Sequence, residues 1–386
     1  MVDIATWEQR KLPEIVERQT SMSDNALLPN IEFEDIVAGS GKLNKDVSKK
    51  KTHKKGIAFR QGDILYGKLR PYLNNWLLGE FSGLAIGDFW VLRPILFNSP
   101  FTYALIQSPT FQAAANVTSG TKMPRSSWSN VSGTNYLVPL AKNEAAAIGK
   151  LFSNLGSTIA LHERKLDLLK RLKVAYQQQL FPEKGAQLPH LRFSGFTAGW
   201  EQRTLTEHIT SSLGGGTPST SIAKYWEGNL PWIQSSDLAQ DDLHSYRINK
   251  HISESAVKET AAKHIPANSM AVVVRVGVGK VVIPETDYST SQDFISLVGL
   301  KGDKDFLLYA IHRLLKRLAI NTQGTSIKGI TKSNLIESKV LSPKDKREQV
   351  LIGQLLSKID TCIAIHQREL DRLRELKMAY IQKLFA

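Results

Sequence analysis

Several short stretches of this chain carry residue types that do chemistry, and each stops short of a working constellation. Gly277-Val278-Gly279-Lys280 has the glycines and lysine of a phosphate loop, but the leading glycine at the required spacing and a Ser or Thr after the lysine are missing. It reads as a glycine bend between strands. Gly214-Gly215-Gly216-Thr217 could cradle a phosphate through backbone N–H groups, yet it lacks a Lys-Ser pair and a strand-turn-helix frame, so the anion it suits is a nucleic-acid phosphate. Asp88-Phe89 and Asp293-Phe294 recur and could be taken for catalytic carboxylates; a recurring Asp-Phe is more simply a scaffold turn. His162 and His366 are not paired at metal spacing, and the lone Cys362 can form neither an internal disulfide nor a thiolate cluster, which suits a reduced compartment.

What remains is positive charge. Lys plus Arg number 50 against 36 Asp plus Glu, a net charge of +14, so the chain should be drawn to a polyanion. Nucleic acid fits better than a membrane surface, because no apolar run approaches the ~20 residues that span a bilayer. The N-terminus, MVDIATWEQRK, lacks a signal-peptide core, and the expectation is a soluble cytoplasmic protein. Asn229-Leu230-Pro231-Trp232 comes near the Asn-Pro-Pro-aromatic motif of adenine methyltransferases. Leu replaces the first Pro, and no glycine-rich strand end for S-adenosylmethionine accompanies it, so the chain is expected not to be an enzyme.

The elements that must position these residues are duplicated. Residues 144–181 realign without a gap on residues 348–385, Ile148 on Ile352, His162 on His366 and Tyr176 on Tyr380, with about half the positions identical. In the first copy Ile148, Phe152, Leu155, Ile159, His162, Leu166, Leu169, Lys173, Tyr176 and Leu180 follow at alternating steps of four and three, and the second copy keeps the rhythm. Steps averaging ~3.5 hold one stripe along a helix, the pattern of a coiled coil, so the two copies are expected to be each other's partners. The histidines on the seam would fix register, and Lys173 and Lys377 would reach solvent or a carboxylate across the pair. Leu151, Leu168, Leu172, Leu355 and Leu376 widen the apolar face, either for another protein or for the chain's own domains.

The repeat extends past the helices. Trp7-Glu8-Gln9-Arg10 with Leu12 recurs as Trp200-Glu201-Gln202-Arg203 with Leu205, Gly120-Thr121 as Gly324-Thr325, Ser129-Asn130 as Ser333-Asn334, and Pro139 as Pro343. Between these anchors the loops diverge, Lys49–Gly56 in one half against Ser211–Gly228 in the other. A repeated scaffold with unlike loops suits two readers of two different things. The fold expected is mixed α/β (α+β) in a pseudo-twofold duplication: a recognition domain over 1–143, a spacer helix over 144–181, a linker over 182–199, a second recognition domain over 200–343 and a second spacer helix over 344–386.

In this combination the chain resembles the specificity subunit of type I restriction-modification enzymes. The resemblance rests on the order domain, helix, domain, helix; on the Trp-Glu-Gln-Arg openings; on GDILYGKLRPYL at 62–73; on GGGTPS with the following Trp226, Trp232 and Asp237; and on LDLLKRLKVAYQQQLF and LDRLRELKMAYIQKLF closing the repeats. It covers essentially the whole length. One departure is that the first domain lacks the lead-in that Leu188–Gly199 gives the second, which leaves open how that domain is tied down. The resemblance implies that each domain is a target recognition domain for one half of a split double-stranded DNA sequence, and that the helices pair as an antiparallel coiled coil, set the gap and dock modification subunits, two in number. Those subunits carry S-adenosylmethionine for adenine-N6 methylation, restriction subunits join with ATP and Mg, and this chain itself holds no cofactor and no metal.

Candidate DNA contacts follow from side-chain chemistry: Arg and Lys for guanine and phosphate, Ser, Thr and backbone amides for phosphate. In the first domain these are Lys49, Lys50, Lys51, Lys54, Lys55, Lys68, Arg70, Tyr72, Lys122 and Arg125. In the second they are Thr217, Ser219, Lys224, Trp226, Ser235, Arg275, Ser326 and Lys328. The rival from another class is a coiled-coil adaptor whose domains bind proteins and whose charge only solubilises it. Divergence concentrated in basic, Gly/Ser/Thr-rich loops speaks against it.

Overall fold

The computed structural model describes residues 7–48, 50, 54–119, 122–183, 185–322 and 329–385. They form a mixed α/β protein of two compact units, Met1–Arg164 with Gln367–Ala386, and Lys165–His366. Both units are built on one plan. In the first, the strand Trp7–Lys11 pairs antiparallel with Asn135–Pro139, Trp7 opposite Pro139; in the second, Trp200–Thr204 pairs with Lys339–Pro343, Trp200 opposite Pro343. The repeated tryptophan strand therefore pairs with the strand that closes each domain, just before its long helix.

The central sheets also correspond. Val16–Gln19, Phe89–Pro94, Ile64–Gly67 and Trp76–Leu78 lie side by side in that order in the first unit, and Ser211–Gly214, Phe294–Val298, Met270–Val273 and Val281–Val282 in the second. Ile64–Gly67 and Met270–Val273 are buried throughout, which is why their sequences run continuously apolar instead of alternating. A short parallel pair completes each unit, Asn30–Ile31 beside Gly83–Ala85 and Leu230–Ile233 beside Ser289–Thr290. Gly277 and Gly279, at φ 88° and 104°, turn the chain between the antiparallel strands Met270–Val273 and Val281–Val282, as a glycine bend should.

The helix Lys304–Thr322 packs on the second sheet; its counterpart is broken into Ser99–Ile106 and Pro109–Asn116. Pro109 causes the break, since it removes a backbone donor, and Ser108 starts the new helix by accepting from the Phe111 N–H at 3.2 Å.

The two long helices run Lys142–Gln179 and Lys346–Leu384, slightly displaced from 144–181 and 344–386. The first ends early because Leu180 and Phe181 leave it for the core of the second unit, where Phe181 stacks on Phe306 at 5.5 Å and meets Trp200 edge-on at 6.1 Å. Phe385 does the same in the first unit, against Phe101 at 5.5 Å and Trp7 at 6.3 Å. The Leu-Phe that closes each repeat is thus a plug for a tryptophan-centred core.

Within each unit the two helices are antiparallel neighbours. In the first, Phe152 stacks on Phe385 and, further along, Glu163 pairs with Arg374 at 2.7 Å. In the second, Lys173 reaches Asp360 at 2.6 Å, the carboxylate across the pair. Ile148, Phe152, Leu155, Ile159 and Leu166 of the stripe are buried, as are Ile352, Leu356, Ile359 and Leu370. Beside the stripe, Leu355 packs on the second unit's core, whereas Leu151, Leu168, Leu172 and Leu376 stay exposed. The linker is pinned by Arg192, whose guanidinium forks onto buried Glu348 at 2.7 and 2.8 Å. In the first unit the matching carboxylate, Glu144, accepts instead from Trp7 Nε1 at 3.0 Å, and this bond ties the first strand to the first long helix.

Candidate nucleic-acid interface

One edge of each unit carries part of the expected set, Lys68, Arg70 and Arg125 in the first and Arg275 in the second, and the same backbone cradle shapes both edges. In the first unit the Lys68 N–H donates to Asp88 O at 2.8 Å and the Ser126 N–H to Lys68 O at 2.8 Å. In the second, Val274 donates to Asp293 O at 2.8 Å and Ile330 to Val274 O at 2.7 Å. The repeated Asp-Phe is therefore a turn at the end of the central strands, held by main-chain carbonyls.

The side chains on the two edges differ. In the first unit Arg125 grips the Asp88 carboxylate through Nε and Nη2, at 3.1 and 3.0 Å, and Lys68 approaches it at 3.5 Å. Arg70 sits beside them in the left-handed region, φ 49°, its N–H bonded to Pro124 O at 2.8 Å. A non-glycine residue held there is strained, and such strain collects at functional sites. Arg70 leads directly into the turn Pro71–Leu73, on which Tyr72 is 58% exposed. Lys122 and Arg125 are exposed on the adjoining segment. Lys68, Arg70, Tyr72, Lys122 and Arg125 thus fall into one neighbourhood.

The basic loop is arranged differently. Lys50 is ion-paired with both Glu32 and Asp35 at 2.6 Å, and Lys54 with Glu32 at 2.6 Å, while Lys55 is exposed. Lys50 and Lys54 hold Glu32 below its ordinary carboxyl range; burial opposes the charge of Asp35, yet Lys45 and Lys50 keep its carboxyl low as well. Lys50 is accordingly a structural cation as much as a surface one. Lys49 and Lys51 lie outside the described residues.

In the second unit the equivalent edge is a cleft of about 690 Å³ whose lining includes Gly214, Gly215, Arg275, Gln292, Asp293 and Lys332. Thr217 reaches it through a hydrogen bond from its hydroxyl to Gln292 Oε1. Ser219, Lys224 and Trp226 form a second group: Trp226 Nε1 donates to Ser219 O at 3.0 Å, Lys224 pairs with Glu259 at 2.8 Å, and Trp226 meets Trp232 edge-on at 5.1 Å. Ser235 stands apart, its carbonyl accepting from Lys280 Nζ at 2.8 Å. Ser326 and Lys328 lie outside the described residues, as do both Gly-Thr pairs.

Sequence reasoning missed Lys332, Gln292 and Lys250. Lys250 lies over the faces of both Trp226 and Trp232, at 5.5 and 5.6 Å. The reading of the repeated Asp-Phe as a scaffold turn matches the structure, although it did not anticipate that Arg125 and Lys68 gather on the Asp88 side chain. Among the described residues no group of three His, Cys, Asp or Glu side chains could hold a metal, and no helix is long and apolar enough to cross a membrane.

Residues 197–375 match the family model of the type I restriction modification DNA specificity domain. The MjaIX type I restriction enzyme specificity subunit of Methanocaldococcus jannaschii is 26% identical over 190 residues, covering 48% of this chain and 44% of its own. The EcoR124I/EcoR124II specificity subunit of Escherichia coli is 28% identical over 201 residues, 47% of this chain and 48% of that one. The chain spans about half the length of the curated relatives it matches. Its fold is that of the crystal structure of the type I restriction-modification system S subunit from M. genitalium, with a TM-score of 0.70 at 15% identity over 98% of this chain and 96% of that one.

Proposed function

We propose that this chain, a relative of the specificity subunits of type I restriction-modification enzymes, is a sequence-specific reader of double-stranded DNA. Each recognition domain takes one half of a split target, and the paired long helices act as the spacer between the halves. The observation that carries the reading is the matched pair of edges, one backbone cradle presented twice with different side chains: Lys68, Arg70 and Arg125 around Asp88, and Arg275, Gln292 and Lys332 beside Asp293. A common scaffold with two unlike donor sets is what reading two unlike half-sites requires.

The exposed Leu151, Leu168, Leu172 and Leu376 along the helices support docking of two modification subunits there. Those partners would supply the S-adenosylmethionine chemistry of adenine-N6 methylation, and restriction subunits the ATP- and Mg-dependent cleavage. This chain would contribute the address and no catalysis, and the assembly would work in the cytoplasm. The test is selection from a random duplex pool by the full chain co-purified with its modification subunit. A split motif, two fixed blocks separated by unspecified base pairs, is expected; recovery of no sequence would overturn the reading in favour of a protein-binding adaptor.

A further inference from the structure

The repeated Asp-Phe poses a question that the turn alone does not answer. In both units the turn is held by the aspartate's carbonyl, and no described backbone N–H is capped by either carboxylate. Asparagine or serine would serve the turn equally, so the acid has another use. In the first unit the use is visible: Asp88 orients Arg125 and Lys68. In the second, the positions of those two cations are filled by Gly329 and Val274, as the matching hydrogen bonds of Ser126 and Ile330 establish. Asp293 consequently has no ion-pair partner among the described residues, although it lines a cleft with Arg275 and Lys332.

A carboxylate on a DNA-facing edge repels phosphate. It is favourable only where it meets a donor, and the donors on base edges in the major groove are exocyclic amines, of which cytosine N4 is the one that aspartate and glutamate accept from. At the cleft Gly214 leaves room for a base edge, with nothing within 4 Å of where a Cβ would stand, whereas Gly215 and Gly329 lie close against backbone.

We infer that Asp293 is a specificity-determining residue of the second recognition domain, accepting a hydrogen bond from the exocyclic amino group of a cytosine in its half-site. This inference rests on the DNA-reading function proposed above. The first domain, whose aspartate is engaged by Arg125, reads instead through cationic donors, so the two half-sites differ in chemistry as well as in sequence.

The experiment is duplex selection by the full chain with its modification subunit, comparing wild type with Asp293→Ala and Asp293→Leu, whose side chains have no acceptor, after thermal unfolding has verified that the variants fold. Wild type should require a C·G pair at one position of one half-site. Both variants should lose roughly five- to 150-fold discrimination at that base pair alone, leaving the other half-site unchanged, and should bind unrelated duplex more tightly because a repulsive charge has gone. A motif identical in wild type and in either folded variant overturns the inference while leaving the DNA-reading function in place. Failure of wild type to select any split sequence overturns both.

Discussion

His312 shows how a residue can look like chemistry and be packing. It lies on the helix Lys304–Thr322, buried, with Nδ1 donating to Gly279 O at 3.0 Å, a role the carbonyl dictates because it can only accept. Burial, assisted by Lys316, pushes the imidazole pKa down to about 4 from an ordinary value near 6.5. The unfolded chain therefore binds a proton between these pH values that the folded chain refuses. Its contribution to stability is complete above the unfolded value and is lost as pH falls toward 4, a swing of roughly 3 kcal/mol. Denaturant unfolding at several pH values from 4.5 to 7.5 should give a steeper loss for wild type than for His312→Asn; equal slopes would reject the account. Lys50 teaches a similar lesson. Its side-chain type suggested DNA, and only the fold put Glu32 and Asp35 within reach.

Gly149 and Gly353 occupy matching places on the two long helices. Each lets the start of a domain helix press against the long helix's backbone. A Cβ at Gly149 would stand 2.6 Å from Asn98 Oδ1 and 2.8 Å from Phe101 N; one at Gly353 would collide with Asp303 Oδ1 and stand 2.7 Å from Phe306 N. Asn98 and Asp303 are the caps there, accepting from Phe101 N at 2.9 Å and Phe306 N at 2.8 Å. Alanine ordinarily favours a helix over glycine by about 1 kcal/mol. Here the clash with a cap should outweigh that gain, so Gly149→Ala and Gly353→Ala are each expected to destabilise by roughly 1–3 kcal/mol. Gly156, on the same helix with nothing within 4 Å, is the contrast: Gly156→Ala should stabilise by up to about 1 kcal/mol in the same thermal or denaturant assay. A destabilised Gly156→Ala beside a neutral Gly353→Ala would reverse the assignment. The heptad stripe on these helices was legible because 3.5-residue spacing is a local property. The glycine sockets were not, since nothing nearby in sequence reveals what crosses a helix.

For the whole molecule, the net charge of +14 becomes a prediction about salt. If six phosphates are neutralised across the two edges, log affinity should fall with log salt at a slope of about −5, roughly a thousandfold between 50 and 200 mM. Binding measured by fluorescence anisotropy on the selected duplex checks this. A slope near zero would detach the positive charge from DNA and favour the adaptor reading.

Legible in the sequence alone were the duplicated unit of domain and helix, the tryptophan motifs that open each unit, the partnership of the two helices and the net charge of +14. These are carried by spacing, periodicity and composition, which survive without knowledge of neighbours. The tertiary structure decided the rest. It showed that the phenylalanines closing the two repeats leave the helices to plug tryptophan cores, that Lys50 is held by two carboxylates, and that Asp88 is engaged by Arg125 while its counterpart Asp293 lines an open cleft. Each of these depends on which distant residue arrives opposite, and that is settled by chain topology rather than by local pattern.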